Sequence, residues 1–179
     1  MNIPIFLSYP QPFTKAQETF ISKVQKYLTS RGFEPRTLGV SDYDVEEPLT
    51  AIRRMLLESN GMLVIGFRRT LIEKGSSKPK SNNGQIEKSL DNNWLTSPWC
   101  HIEPAMAYQI GLPILILREN GVIADGILEK GITGTYLPEF NLENENSYLN
   151  TEEWNQIIGK WEGNVRQVVS NKGKPPKLF

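Results

Sequence analysis

The chain is poor in the residues that most often cross-link or bind metals: its 179 residues include one cysteine, Cys100, and one histidine, His101. A single thiol excludes an intramolecular disulfide, and one Cys with one His cannot assemble a Cys/His zinc site. No metal is expected, and a reducing compartment fits. Net charge is also missing, because 20 Lys and Arg residues balance 20 Asp and Glu residues. Without a basic excess there is no global attraction to nucleic acid or to an anionic membrane surface. Long apolar runs are absent too. No stretch approaches the roughly 20 apolar residues of a membrane span, and Met1-Asn2-Ile3-Pro4 opens without the basic region and apolar run of a secretion signal. The expectation is a cytoplasmic protein with neither nucleic acid nor membrane as partner.

What is present is an alternation of short apolar runs and amphipathic stretches. Residues 3–8 read as a buried strand bounded by Pro10 and Pro12. A helix follows over 14–30, with Phe13, Ala16, Phe20, Val24, Tyr27 and Leu28 on one face and Gly32 ending it. Residues 33–38 give a second strand, which Pro35 places near an edge. An acidic loop, 39–47, leads to a helix beginning at Pro48 with Ile52, Met55, Leu56 and Leu57 on its buried side. The run 61–67 is the clearest central strand. Residues 113–117, a short helical piece at 124–130, a strand at 134–137 and a helix over 151–170 complete the pattern.

Strands that are apolar on both faces and alternate with helices imply a parallel sheet covered on each side. The expected fold class is α/β, a flavodoxin-like, doubly wound, five-stranded parallel sheet with helices on both faces. One domain spans 1–171, and 172–179 form a loose tail. Within the domain, 74–93 turns abruptly to Lys, Ser, Asn and Gly, which predicts a flexible insertion of the functional-lid or disordered kind.

The segment richest in chemistry is Trp99-Cys100-His101-Ile102-Glu103, followed by Pro104 and the strand at 113–117. Ser97 suits an N-cap, Pro98 a first helical position and Gly111 a helix stop, so the spacing predicts a helix over about 98–110. Pro104 falls inside it and removes one backbone hydrogen bond, leaving the Cys100 carbonyl without its usual partner. Trp99, Ile102, Met106 and Ile110 recur at helical spacing and read as a core stripe, on which view Glu103 is a solvated acid. The competing view is a semi-apolar pocket built around one carboxylate.

These residues resemble a Toll/interleukin-1 receptor (TIR) domain. Ile5-Phe6-Leu7-Ser8-Tyr9 is similar to the family's first box, an apolar strand ending in Ser-Tyr. The stretch from Val40 through Pro48 to Ile65 resembles the family's loop, helix and central strand. Trp99-Cys100-x-x-Glu103 matches the plant and bacterial members that cleave NAD+. The resemblance follows the element order of nearly the whole chain, but only this last motif is sharp. The sequence departs from the family at Pro104, where members usually continue with an aliphatic residue, and at the insertion 74–93, which has no counterpart.

The resemblance implies cleavage of the nicotinamide–ribose bond of NAD+, with NAD+ as substrate and no cofactor. Glu103 is then catalytic, and Ser8, Tyr9, Asp42, Asp44, Trp99, Cys100 and His101 are substrate-binding candidates. It also implies self-association through TIR–TIR contacts and an ADP-ribose-derived signal, cyclic in some members, read by a separate effector, as in antiphage systems such as Thoeris. The bare chemistry agrees. Breaking this bond develops positive charge on the sugar, which a nearby carboxylate stabilises, and nicotinamide leaves without needing a proton. Two other readings use the same residues: a nucleoside deoxyribosyltransferase-like enzyme with a nucleophilic Glu before the fourth strand, and a non-catalytic TIR adaptor working through the 40–47 loop.

Overall fold

The computed structural model describes residues 2–41, 47–134, 136–143 and 147–171. In chain order its elements are β1 (Ile3–Ser8), α1 (Lys15–Ser30), β2 (Phe33–Arg36), α2 (Pro48–Glu58) and β3 (Met62–Gly66). Four short strands follow: β4 (Thr70–Ile72), β5 (Ser76–Ser77), β6 (Lys88–Ser89) and β7 (Asn93–Leu95). Then come α3 (Trp99–Gln109), β8 (Ile114–Glu119), a 3-10 turn (Gly126–Leu128), β9 (Glu139–Phe140), a second 3-10 turn (Ser147–Asn150) and α4 (Glu152–Ser170). The central sheet has five strands in the order β2-β1-β3-β8-β9, all parallel. The fold is the expected flavodoxin-like α/β class.

Strand periodicity divides the core in two. Ile5, Leu7, Leu63, Ile65, Leu115 and Leu117 point to one face, where they pack with Phe20, Val24 and Leu28 of α1 and Trp154, Ile158, Trp161 and Val165 of α4. Phe6, Met62, Val64, Ile114 and Ile116 point to the other, against Ile52, Met55 and Leu56 of α2 and Cys100 and Ala107 of α3. β1 connects outward to β2 while the later strands lie on its other side, so the winding reverses between β1 and β3. Ligand crevices in such sheets open beyond the carboxyl ends of the strands at that reversal. No helix among the described residues is long and apolar enough to cross a membrane.

Several boundaries differ from the sequence expectation. Thr14 caps α1, its Oγ1 accepting the Gln17 N–H at 3.2 Å. The buried face of α1 is Gln17, Phe20, Ile21, Val24 and Leu28, and Phe13 and Ala16 are exposed. Polar Gln17 belongs inside because its amide donates to the Arg68 carbonyl at 3.0 Å and to Glu119 at 3.2 Å. Leu57 is exposed, one position past the stripe of Ala51, Ile52, Met55 and Leu56. The last sheet strand is residues 139–140 rather than 134–137; Gly134 has a φ of 68°, outside the strand region. Pro35 does lie in an edge strand. The tail 172–179 lies outside the described residues.

The insertion has paired backbone of its own. β4 pairs antiparallel with β7 and β5 with β6, so 70–95 forms a narrow ladder ahead of α3. Its outer part, 78–87, is exposed apart from half-buried Ser81, and Ile86 is 85% exposed. Replacing 78–87 with a short turn is therefore expected to change unfolding free energy by less than ~1 kcal/mol, because little burial is lost and a shorter loop closes at lower entropic cost. Urea denaturation of the two proteins checks this. A larger loss means that the tip carries packing of its own.

Candidate active site

The site begins with helix α3. Ser97 Oγ accepts the Trp99 N–H at 3.3 Å and its carbonyl accepts the Cys100 N–H at 3.0 Å, while Pro98, expected at the first helical position, is the capping residue just before Trp99 and already has helical angles. Gly111, at a φ of 76°, stops the helix and returns its N–H to the Tyr108 carbonyl at 2.9 Å. The helix runs continuously through Pro104. Its buried residues are Cys100, Glu103, Pro104 and Ala107, spaced at i, i+3, i+4 and i+7. The expected core stripe fails at Trp99 and Ile102, which are 40% and 38% exposed, while Met106 and Ile110 pack half-buried against the core; the acid is on the face that meets the sheet.

On that face Glu103 meets the end of β1. Phe6 points toward α2 and α3, so two residues later Ser8 points the same way, at the last position of the strand. Its hydroxyl donates to Glu103 Oε2. Ser8 is 3% exposed and Glu103 8%. Burial pushes the Glu103 carboxyl up from 4.5 to about 7, and the Ser8 hydrogen bond pulls in the opposite direction.

The pair forms part of the wall of a cavity of about 660 Å³ over the carboxyl ends of β1 and β2. That volume is in the range of small-molecule sites, roughly 300–1,000 Å³. Tyr9, Trp99 and Ser97 line it, as do Pro10, Phe13, Thr37 and Ile52. Burial raises the Tyr9 phenol above 10 and a hydrogen bond with Thr37 opposes this, so Tyr9 is a neutral donor at physiological pH. Arg69, in the segment after β3, adds a cation at the wall with Nη1 3.5 Å from Ser97 Oγ. Among the described residues, Glu103 is the only acid lining this cavity.

Ser8, Tyr9, Trp99 and Glu103 are thus brought together around the cavity; Cys100 lies beneath them, its thiol next to Ser8 but outside the lining, and His101 is turned away. Cys100 is fully buried with Sγ 3.9 Å from the Ile65 carbonyl, and burial pushes its thiol up to about 12, so it is an inert core residue. His101 faces a different, smaller cavity with Asp125 and Ile123, and burial lowers its pKa. Asp42 and Asp44 lie outside the described residues. Arg69, Thr37 and Phe13 were missed by the sequence reading. Arg69 was accessible to it through position alone, since residues just past a central parallel strand face the ligand crevice. No group of three His, Cys, Asp or Glu side chains among the described residues is placed to hold a metal ion.

No family model matches the chain, and no curated protein matches it in sequence. Among solved structures it is similar to the CMP N-glycosidase BcmB of Clostridium botulinum, with 14% identity, a TM-score of 0.44, and 77% of this chain and 85% of that one covered. It is also similar to the TIR domains of the activated Roq1 resistosome, which directly recognises the pathogen effector XopQ, with 14% identity, a TM-score of 0.41, and coverage of 97% and 76%. Likeness at this level leaves the chemistry to the residues of the site itself.

Those residues hold one carboxyl balanced between its two protonation states at neutral pH. Because the folded pKa of Glu103 is raised above 4.5, its neutral form is the one the fold favours. The associated stability is fully present below about pH 4.5 and is lost as pH rises through about 7, a difference of about 3 kcal/mol. Glu103→Gln places a permanently neutral group there. Its thermal stability relative to the parent is expected to rise between about pH 4 and pH 9 by roughly 6–12 °C. Paired melting curves across that range test it, and a pH-independent difference contradicts the assignment.

Proposed function

We infer that the chain is an N-glycosidic-bond-cleaving enzyme acting on NAD+, with Glu103 as the group that stabilises the ribosyl cation. The observation that carries this reading is a buried carboxylate bonded to Ser8 at the winding reversal, in the wall of a small-molecule-sized cavity. The Trp99-Cys100-x-x-Glu103 match supplies the substrate class. The lining favours a leaving group that is already cationic. A neutral nucleobase needs a proton as it departs, whereas nicotinamide takes both electrons of the C1′–N bond and leaves neutral. Glu103 alone suffices for the second case.

In the ionised form, Glu103 faces the carbon that becomes positive as that bond lengthens. Water then adds to C1′ and gives up a proton, so NAD+ and water yield ADP-ribose, nicotinamide and H+. Attack by a substrate atom in place of water gives a cyclic product by the same first step. Ser8 is a positioning residue that orients the carboxylate and favours its ionised state. Trp99 offers an aromatic wall, and Tyr9 and Arg69 offer a hydroxyl and a cation to the sugar or phosphates. The approaching pyridinium itself favours the Glu103 anion.

Purified protein incubated with NAD+ is expected to release nicotinamide, with the sugar product resolved by mass spectrometry. Glu103→Gln is expected to abolish the release while remaining folded. Base exchange between deoxynucleosides, without nicotinamide, would replace this reading with a deoxyribosyltransferase, and neither activity would favour an adaptor.

The pH profile adds a readout specific to the carboxyl. Activity requires the anion, so kcat/KM is expected to climb as pH rises through about 7. Ser8→Ala removes the interaction that lowers this pKa, and its acid limb is expected to move to higher pH with reduced turnover at neutrality. A profile flat between about pH 5 and pH 9 in the parent would show that Glu103 does not titrate in the reaction.

A further inference from the structure

A further cavity opens on the other side of the loop that joins β1 to α1. Strand residues facing α2 and α3 end at Ser8, and those facing α1 and α4 end at Glu119, the last residue of β8. The space above Glu119 measures about 300 Å³ and is lined by Phe13, Gln17, Arg68, Trp94, Glu119 and Asn141 among others. Phe13 lines this cavity and the Glu103 cavity alike.

Two features of its wall are independent of the Glu103 chemistry. The first is an aromatic shelf. The Phe13 and Trp94 rings lie at 27° with centroids 6.4 Å apart, and Phe13 is 58% exposed. The Trp94 backbone is held on both sides: its main-chain N–H donates to the Gly121 carbonyl and its carbonyl accepts the Ile123 N–H, both at 2.9 Å. The Arg68 guanidinium lies 5.8 Å from the indole.

The second feature is a half-used carboxylate. Glu119 is 6% exposed, and its Oε2 accepts from the Arg68 N–H at 2.8 Å and from Gln17 Nε2 at 3.2 Å. Among the described residues no hydrogen bond reaches Oε1. Arg68 Nε is 3.9 Å from it and donates instead to the Asn120 carbonyl at 2.6 Å. Glu119 lines the cavity, so an acceptor there that no protein donor reaches is open to one supplied by a ligand or by water.

The geometry points to a subsite for a planar heteroaromatic ring bearing an exocyclic amine, an aminopurine nucleotide, stacked on Phe13 and Trp94 with its amine donating to Glu119 Oε1. Its role as the seat of the second base of the substrate rests on the dinucleotide reading above; binding of the ring itself does not. The two cavities then hold the two ends of one molecule, with the β1–α1 loop passing beneath the link between them.

The test uses the whole chain with AMP and IMP, which differ by an amine against a carbonyl at C6 and by a bare N1 against an N1–H, and contain no nicotinamide bond. Calorimetry is expected to show AMP binding, stronger than IMP binding. Trp94→Ala and Phe13→Ala are expected to weaken AMP at least about tenfold, the scale of one lost stacking contact. Phe13 is exposed, so its variant keeps the fold if Trp94→Ala does not.

Glu119→Gln is the sharper variant. Its amide oxygen takes the place of Oε2 between Arg68 and Gln17, which turns the NH2 toward the cavity in place of the acceptor Oε1. The preference between AMP and IMP is then expected to reverse, a change that a purely structural role for Glu119 does not produce. Absence of AMP binding by the parent, or an unchanged AMP-to-IMP ratio in Glu119→Gln, overturns the subsite. The two proposals separate cleanly. AMP binding without nicotinamide release keeps the subsite and rejects the NAD+ reaction; nicotinamide release without AMP binding does the reverse.

Discussion

Burial of one carboxyl group on the sheet-facing side of α3 is the constraint around which this molecule is arranged. The helix presents Cys100, Glu103, Pro104 and Ala107 inward, and only one of these four carries an ionisable group that water would otherwise hold strongly. Such a group cannot remain in an apolar core without a partner. Ser8 is that partner, and it is available because β1 has the same side-chain parity at 6 and 8 and ends where α3 crosses it. The apolar cores on each face fix the helix and the strand rigidly enough to keep the pair together. The site is therefore a consequence of the core packing as much as a passenger on it.

Much of the fold was legible because it rests on burial pattern. β1 and β3 are apolar on both faces, which only a covered parallel strand tolerates, and both were located to within a residue or two. The helix ends at Thr14, Pro48, Gly111 and Thr151 were readable for a different reason, since each has a local chemical cause. The failures share a cause as well. β9 has two residues and β4 to β7 have two or three each, too short for periodicity to register, and backbone pairing rather than side-chain pattern forms them. Buried polar residues carry no such signal either. Gln17 and Glu119 were not singled out, and only the fold reveals that their partners, Arg68 and each other, arrive from elements 51 to 102 residues away.

The candidate site was partly legible. Its acid was singled out by the Trp-Cys-x-x-Glu spacing, and Ser8 and Tyr9 by their place at the end of a strand. The direction in which the neighbouring side chains point was not available. Cys100 and His101 are adjacent in sequence to the motif, but successive helix positions differ by about 100° in direction. Cys100 therefore turns into the core and His101 toward Asp125. Trp99 reaches the cavity while remaining 40% exposed, a combination suited to an aromatic wall rather than a core plug.

The elevated pKa of Glu103 looks at first like a handicap for a residue whose proposed role needs negative charge. The electrostatics of the proposed substrate resolve it. A neutral carboxyl is the less costly state in the empty cavity, so the resting fold does not bear the full penalty of a buried charge. A cationic ring placed beside it supplies the opposite charge that ionises the group, in surroundings where little water screens the interaction. The substrate that the carboxylate serves is thus also the agent that generates the carboxylate, and a neutral ligand of the same shape lacks that effect. Ser8 sets how far the balance is tilted beforehand. Discrimination for a charged leaving group then follows from desolvation of one acid on α3, with no second acid among the described lining of the cavity.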